Sequence, residues 1–225
     1  MQANITYIFP SRERPDKFFK AIENIQSFSA KEEYQIIASL DIDDSTMNNK
    51  EVMNRLHELK KVNAIYSTSI GKVHAINRDL KYMPLNTDIV ILMSDDMVFT
   101  QPGFDDIIRV DMQKYFPDLD GVLHYPDSTP VQDRVITLTI MGINFFRRFN
   151  YLYHPEYISV WADLELTEVS KKLGKYKYLP HAKIFKHEHP VWKHEKYDPL
   201  MTRNESFYTR DKEVYFKRLA NNFDL

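Results

Sequence analysis

Residues 88–96 read Asp-Ile-Val-Ile-Leu-Met-Ser-Asp-Asp, five apolar side chains that are followed almost at once by two carboxylates. An unbroken apolar run of this length is typical of a strand buried on both faces, as in a parallel sheet. Two neighbouring carboxylates at the end of such a strand repel each other unless something positive faces them. The stretch therefore predicts a central parallel strand whose carboxyl end carries chemistry.

Short β-rich runs and helical stretches alternate on both sides of this strand. The predicted strands cover residues 5–9, 34–40, 63–68, 88–93, 121–124, 135–143, 176–179 and 182–187. The predicted helices follow Pro15 and cover residues 51–61, 72–82, 104–115, 161–173 and about 211–221. This alternation predicts a single α/β domain whose sheet has parallel strands and covering helices. Residues 125–134, rich in Pro, Asp, Ser and Thr, predict a loop of functional length.

Composition excludes several classes of site. The 225 residues contain no cysteine, which excludes disulfide scaffolds, thiolate metal sites and thiol nucleophiles. The five glycines are scattered, at positions 71, 103, 121, 142 and 174, so neither a dinucleotide-binding fingerprint nor a Walker loop is present. A net charge of −2 argues against a general nucleic-acid coat. With no membrane-length apolar run and no signal-like N-terminus, we expect a cytoplasmic protein.

Charged clusters follow the first, second and fourth predicted strands. They are Ser11-Arg12-Glu13-Arg14, the carboxylates Asp41, Asp43 and Asp44, and Asp95-Asp96. Parallel strands bring their carboxyl ends to one rim, where ligands bind. A divalent cation such as Mg²⁺ or Mn²⁺ that bridges carboxylates to a diphosphate would neutralise both charges. The alternative is a solvated turn in which Asp95 or Asp96 caps the next helix.

Two later clusters add candidate groups. His187 and His189 lie on one side of an extended segment, because side chains alternate there, and imidazole is a ligand for Mn²⁺ or Zn²⁺. An ordinary hydrogen-bonded or surface pair is the alternative. Asp163 and Glu165 open a predicted helix about 200° apart, so only one can face a given site. One of them could be a general base, or both could simply stabilise the helix N-terminus.

The order of these motifs resembles the family-two-like glycosyltransferases of GT-A fold, over about residues 4–190. The resemblance implies a GT-A-type Rossmann-like domain over residues 1–190, with a mixed, mostly parallel sheet flanked by helices. Its nucleotide-binding part would cover about residues 1–100 and its acceptor part about residues 101–190. Residues 191–225 would form a helical extension packed on the same domain. The implied activity is transfer of a hexosyl or pentosyl group from a nucleotide-sugar, above all a UDP-sugar, usually with inversion and with bound Mn²⁺ or Mg²⁺.

The resemblance also implies roles for individual residues. Those for the nucleotide-sugar are Pro10, Ser11, Arg12, Arg14, Asp41 or Asp43, Lys72, Asn77 and Asp95. Those for the metal are Asp96 and His187, with His189 as second choice, and the base would be Asp163 or Glu165. Two motifs depart from the family pattern: Ser94 replaces a first Asp, and Asp-Leu-Glu replaces the usual Glu-Asp order.

The acceptor stays open at this point: a glycan, a small molecule, a protein or a modified DNA base. Residues 125–134 with Met141-Gly142 would lie near it, and Tyr153, Tyr157, Trp161 and Trp192 could stack on a sugar. Basic groups at Arg147-Arg148 and at lysines 171, 172, 175 and 177 would fit DNA, although such groups are more often a solvated face. The rival functions are a metal-dependent nucleotidyltransferase or hydrolase and a non-catalytic sugar-binding module.

Overall fold

A computed structural model describes residues 3–190 and 196–225. The strands are β1 Ile5–Ser11, β2 Tyr34–Asp41, β3 Val62–Ser67, β4 Ile89–Leu92, β5 Met97–Phe99, β6 Val122–His124, β7 Ile140–Gly142, β8 Tyr176–Tyr178 and β9 Phe185–His187. The helices are α1 Pro15–Phe28, α2 Lys50–His57, α3 Lys72–Arg78, α4 Phe104–Tyr115, α5 Ile143–Arg147, α6 Ala162–Lys172, α7 Pro199–Glu205 and α8 Tyr208–Ala220. Short 3-10 turns cover Leu80–Tyr82 and Asn222–Asp224.

The main sheet has seven strands in the order β3-β2-β1-β4-β7-β6-β8. All pairs are parallel except those of β7, which runs antiparallel to both β4 and β6. This confirms the prediction of a mixed, mostly parallel sheet with flanking helices. The chain leaves β1 toward β2 on one side and reaches β4 on the other, and a crevice beyond the strand ends is expected at such a switch point.

The central strand β4 is buried on both faces, as its apolar run predicts. Ile89 and Ile91 belong to one core cluster, and Val90 and Leu92 belong to the other. The first cluster packs under α1, α2 and α4, and the second under α3, α5, α6 and α8. Each fully buried aliphatic side chain stabilises the fold by about 1.5–3 kcal/mol. The carboxylates that follow β4 are therefore held by a rigid, doubly covered strand.

A small antiparallel pair, β5 with β9, joins distant parts of the chain beside the main sheet. Met97 is opposite His187, and the Glu188 amide donates a 2.7 Å hydrogen bond to the Asp96 carbonyl oxygen. β5 has no counterpart among the predicted strands. Its consequence is direct, because this pairing places His187 beside the end of β4.

Several predicted elements have different boundaries. The strand predicted over 135–143 is wrong in most of its length: only Ile140–Gly142 pairs, and α5 begins at residue 143. The amide of Ile136 instead donates to the Thr167 hydroxyl of α6, at 3.0 Å. β1 continues through Pro10 to Ser11, α2 ends at His57, and the helix predicted over 72–82 ends at residue 78 before a 3-10 turn.

The C-terminal helices pack on the same body as the sheet. Tyr215 of α8 and Phe223 belong to the second core cluster, and Met201 of α7 is buried. α7 was not predicted, and α8 begins three residues before the predicted helix. None of the helices in the two described ranges is both long and apolar enough to cross a membrane.

We expect Gly142→Ala to destabilise the fold, because a Cβ there would collide with the Leu119 backbone carbonyl and lie 2.8 Å from its Cα. Overpacking of this kind costs about 1–3 kcal/mol. Urea unfolding followed by circular dichroism measures the change. Gly174→Asn is the control: this position has φ +67° and open space around it, and Asn tolerates such a backbone. Equal unfolding midpoints for Gly142→Ala and the wild type would contradict the close approach.

Candidate active site

A cavity of about 310 Å³ lies beyond the carboxyl ends of β1, β2 and β4. It gathers most of the side chains that the sequence motifs singled out. The predicted site residues that line it are Pro10, Ser11, Arg12, Arg14, Asp41, Lys72, Asp95, Asp96, Asp163, His187 and His189. Three others, Asp43, Asn77 and Glu165, are not part of this lining. The motifs thus converge in space although they span most of the chain.

The neighbouring carboxylates after β4 have opposite environments. Asp95 receives a 3.0 Å ion pair from the Arg14 guanidinium, yet burial dominates and raises its pKa. Burial also opposes ionisation of Asp96, but hydrogen bonds from His187 and Ser94 and the charge of Lys72 together hold its pKa well below the usual range. Asp96 is therefore the more acidic member of the pair.

Two histidines face Asp96 with different charges. The Nε2 of His187 lies 3.3 Å from Asp96 Oδ2, and its Nδ1 lies 3.7 Å from Asp127 Oδ2. Burial lowers the pKa of His187, but the two carboxylates outweigh it and raise the pKa to about 9. Burial and the neighbouring charge of His187 lower the pKa of His189 to about 4. One imidazole is thus cationic and the other neutral at pH 7.

Asp127 is a site residue that sequence reasoning missed. It lies in the predicted functional loop 125–134, where its carboxylate accepts hydrogen bonds from the Thr129 amide and hydroxyl at 2.9 and 2.8 Å and from the Thr137 hydroxyl at 2.6 Å. The only signal for it was the composition of that loop. Its position depends on a main-chain bond from the His187 amide to the Asp127 carbonyl, at 2.9 Å, that no local pattern indicates.

The donors around Asp96 suit a divalent cation chemically. A carboxylate and imidazole nitrogens are the ligand types that Mn²⁺ accepts. Within residues 3–190 and 196–225, no three His, Asp or Glu side chains stand together in positions that would hold a metal ion. Instead the cationic imidazole of His187 offsets the charge of Asp96. A bound cation would offset the charge of Asp96 in place of the His187 imidazolium, so the residues fit the ion in charge and in donor type.

Asp41 holds cationic side chains at the rim of the cavity. One of its oxygens accepts from Arg78 at 3.1 Å, and the other accepts from Arg12 at 3.0 Å and from the Ser69 hydroxyl at 2.8 Å. Arg12 also contacts the exposed Asp43 at 2.7 Å. With these donors in place, the carboxylate of Asp41 orients Arg12 toward the cavity.

Asp163 and Glu165 point in opposite directions from the start of α6. Asp163 lines the cavity, where burial raises its pKa against the opposing charge of Lys72. Glu165 is buried on the other side of the helix, 2.8 Å from the Arg218 guanidinium, and it accepts a hydrogen bond from the Tyr157 hydroxyl at 2.7 Å. A raised pKa suits a general base. Only Asp163 is therefore placed to serve as one.

Asn77 has a structural position. Its side-chain amide donates to the Tyr153 carbonyl at 2.6 Å and accepts from the Leu152 amide at 3.0 Å, so it fixes this segment from α3. Of the aromatic candidates, Tyr153 and Trp161 line the cavity and Tyr157 does not. Trp192 lies outside the described residues.

The basic side chains considered for DNA are largely paired. Arg148 Nε donates to Asp120 at 2.6 Å, and Lys175 contacts the same carboxylate at 2.8 Å. Lys171 lies 3.5 Å from Glu168. These contacts are those of a solvated, charge-balanced face.

Buried polar atoms without a partner occur among the cavity-lining residues. Within the described ranges, the hydroxyls of Ser11, Ser39 and Ser159 and the indole nitrogen of Trp161 make no hydrogen bond, and all four residues line the cavity. Buried polar groups are normally satisfied, so this concentration is typical of a site that binds a polar ligand.

The sheet order, the flanking helices and the acidic turn after β4 define the GT-A fold. Similar solved structures include the mannosyltransferase PcManGT from Pyrobaculum calidifontis in complex with GDP-Man and Mn²⁺, with 13% identity, a TM-score of 0.62, and coverage of 80% of this chain and 55% of that chain. S. aureus TarS 1-349 in complex with UDP-GlcNAc has 12% identity, a TM-score of 0.62, and coverage of 81% and 58%.

The catalytic domain of Drosophila beta1,4galactosyltransferase 7, in complex with xylobiose, has 13% identity, a TM-score of 0.59, and coverage of 88% of this chain and 75% of that chain. No protein-family model and no curated protein sequence matches the chain. The matched part of the chain covers little more than half the length of the mannosyltransferase and of the TarS fragment. At these identities the similarity establishes the fold.

We expect Glu165→Gln to destabilise the protein, because the Arg218 guanidinium, only 5% exposed, loses its buried carboxylate partner and keeps only the exposed Asp224. Removal of one member of a buried ion pair costs about 3–5 kcal/mol. Chemical denaturation measures the change. Glu168→Gln on the same helix is the control, because its partly exposed pair with Lys171 is worth only about 0–1 kcal/mol. Equal losses for both variants would contradict the buried pair.

Proposed function

We propose that this chain is a glycosyltransferase that moves a sugar from a nucleotide-sugar donor to an acceptor hydroxyl. One observation carries the proposal: a single cavity of a GT-A fold contains the Asp96–His187 pair and, separately, the desolvated carboxylate of Asp163. The charge of Lys72 acts on both Asp96 and Asp163. The cavity thus provides one cluster suited to a charged leaving group and one group suited to proton removal.

The donor would bind along the rim formed by β1, β2 and β4. Pro10, Ser11 and Arg12 would contact the nucleotide, with Asp95 near the ribose. Arg14 and Lys72 would face the diphosphate. We propose a UDP-sugar as donor, and the nucleotide complexes of two similar structures, with GDP-Man and UDP-GlcNAc, are compatible with a donor of this chemical class.

Asp96 would be the main protein ligand of Mn²⁺ or Mg²⁺, with His187 beside it and His189 as the second choice. When bound, the ion supplies positive charge that neutralises the diphosphate as it leaves. The protein itself would contribute Lys72 and Arg14 for the same purpose, and Arg14 is already held by ion pairs with Asp95 and Asp198. His189, neutral at pH 7, is available as a ligand without losing a proton.

Asp163 would act as the general base. It would remove the proton of the acceptor hydroxyl while the acceptor oxygen forms a bond to the anomeric carbon and the bond from that carbon to the diphosphate oxygen breaks. The products are the glycosylated acceptor, a nucleoside diphosphate and a protonated Asp163. Attack opposite the leaving group inverts the anomeric centre, and the burial that raises the Asp163 pKa favours its action as a base.

The proposed acceptor is a glycan, with a modified DNA base as the alternative. The paired basic residues of the face that would meet DNA favour the glycan.

Product analysis separates the rival functions. A hydrolase releases free sugar without acceptor, a nucleotidyltransferase releases pyrophosphate from a nucleoside triphosphate, and a binding module releases nothing.

We expect at least one nucleotide-sugar to raise the melting temperature in the presence of Mn²⁺ and much less in its absence. Saturation at 100 times the dissociation constant adds about 2.7 kcal/mol of stability. A thermal-shift screen of UDP-, GDP-, CDP- and ADP-sugars measures this. Asp96→Asn should abolish the Mn²⁺-dependent part, whereas Glu23→Gln, an exposed carboxylate on α1, should preserve it. A flat response to every donor would count against a transferase.

We expect Asp163→Asn to lower the rate of transfer by about 10²–10⁴-fold, because the amide cannot take up the acceptor proton. Donor-induced stabilisation should stay at the wild-type level, since Asp163 is assigned to the acceptor side. Release of nucleoside diphosphate with and without acceptor measures the rate. Glu168→Gln serves as the matched control, because Glu168 lies on the same helix, is partly exposed and does not line the cavity. A wild-type rate in Asp163→Asn would assign the base elsewhere.

A further inference from the structure

Asp211 of α8 is a fully buried carboxylate that does not belong to the cavity lining given above. Its oxygens accept hydrogen bonds from three consecutive backbone amides: Ile158 at 3.1 Å, Ser159 at 2.8 Å and Val160 at 3.0 Å. Hydrogen bonds to an ionised acceptor are stronger than neutral ones. The carboxylate therefore fixes the course of residues 158–160, a segment with no regular secondary structure.

The same segment is held from its other side by the start of α3. The Val73 amide donates to the Ile158 carbonyl at 2.9 Å. Gly71 lies so close that a Cβ there would collide with the Ile158 side chain and lie 2.7 Å from its carbonyl oxygen. These contacts form a clamp that holds residues 158–160 between α8 and the start of α3, where Lys72 lies.

Trp161 connects residues 158–160 to the start of α6. Its φ of +68° is a conformation that bulky residues avoid, so the surrounding structure must impose it. The centroid of its ring lies 5.4, 5.3 and 6.0 Å from the ring centroids of three aromatic residues of α8, Tyr208, Tyr215 and Phe216. Asp163 follows two residues later, within the first turn of α6.

We propose that Asp211 is a positioning residue for Asp163. By fixing residues 158–160 it sets the backbone from which α6 begins, and so it sets where the Asp163 carboxylate stands in the cavity. The inference rests on the proposed function, because Asp163 is there the base. An error of about 1 Å in the place of a reacting group can cost about 100-fold in rate.

The test compares Asp211→Asn with Glu213→Gln. Both replace a carboxylate by its amide on α8, but Glu213 is exposed and outside the clamp. Asp211→Asn keeps the side-chain volume and removes the negative charge. The new side-chain NH₂ group must face either the backbone amides or Arg210, whose Nη1 donates to Asp211 at 2.7 Å, and both of these are donors. We expect the kcat for transfer to fall at least tenfold in Asp211→Asn, with a smaller change in donor affinity and with Glu213→Gln at the wild-type value.

A double-mutant cycle separates positioning from a general structural role. If Asp211 acts through Asp163, Asp211→Asn should cause little further loss of rate in an Asp163→Asn background. A similar fold-loss with and without Asp163 would overturn the proposal, and so would a wild-type kcat in folded Asp211→Asn.

Amide hydrogen exchange tests the clamp without relying on activity or on a variant. In the wild-type protein, the amides of residues 158–160 should be protected as strongly as those in the body of α6, and Asp211→Asn should speed their exchange at least tenfold. Rapid exchange of these amides in the wild type would overturn the proposal. If the wild type neither binds a donor nor transfers a sugar, the proposed function fails, whereas the exchange result still reports on the clamp.

Discussion

Asp96 must remain ionised at the end of a strand that is buried on both faces. This is an unfavourable place for a charge, and burial alone would protonate the carboxylate. The surrounding structure supplies the compensation: β9 brings in His187, and α3 brings in Lys72. His187 is 91 residues from Asp96 in sequence, whereas Lys72 belongs to the α-helix that precedes β4. The need to stabilise one buried charge thus explains why these elements converge on a single cavity.

Asp163 stands in the opposite situation on the same cavity. Its environment disfavours the charge and raises its pKa, whereas that of Asp96 lowers it. Carboxyl groups with pKa values pushed apart in this way can take different chemical roles at one pH. The difference arises from the partners: Asp96 has hydrogen-bond donors on two sides, and Asp163 has one backbone amide, that of Leu164, at 2.8 Å.

The fold could be predicted from the periodicity of apolar residues, and the edge of the sheet that holds the cavity could be predicted from the polar clusters at the strand ends. Both depend on short stretches of sequence. The run at residues 89–93 indicated a buried strand, and three charged clusters each followed a predicted strand, so the gathering of Arg14, Asp41 and Asp95 at one edge could be foreseen. Which side chains pair with each other could not be predicted. That Glu165 turns away to meet Arg218, and that Asp127 lies beside His187, depends on packing between segments far apart in the chain.

Residues 196–225 build part of the cavity as well as covering the sheet. α7 supplies Met201, Arg203 and Asn204 to its wall, and Asp198 at the start of α7 accepts a 2.8 Å hydrogen bond from Arg14. A recombinant fragment that ends at residue 190 would retain every strand and nearly all of the sequence motifs, yet its cavity would be open on one side. The smallest autonomous unit is therefore larger than the motifs suggest, and truncation series should keep α8 intact.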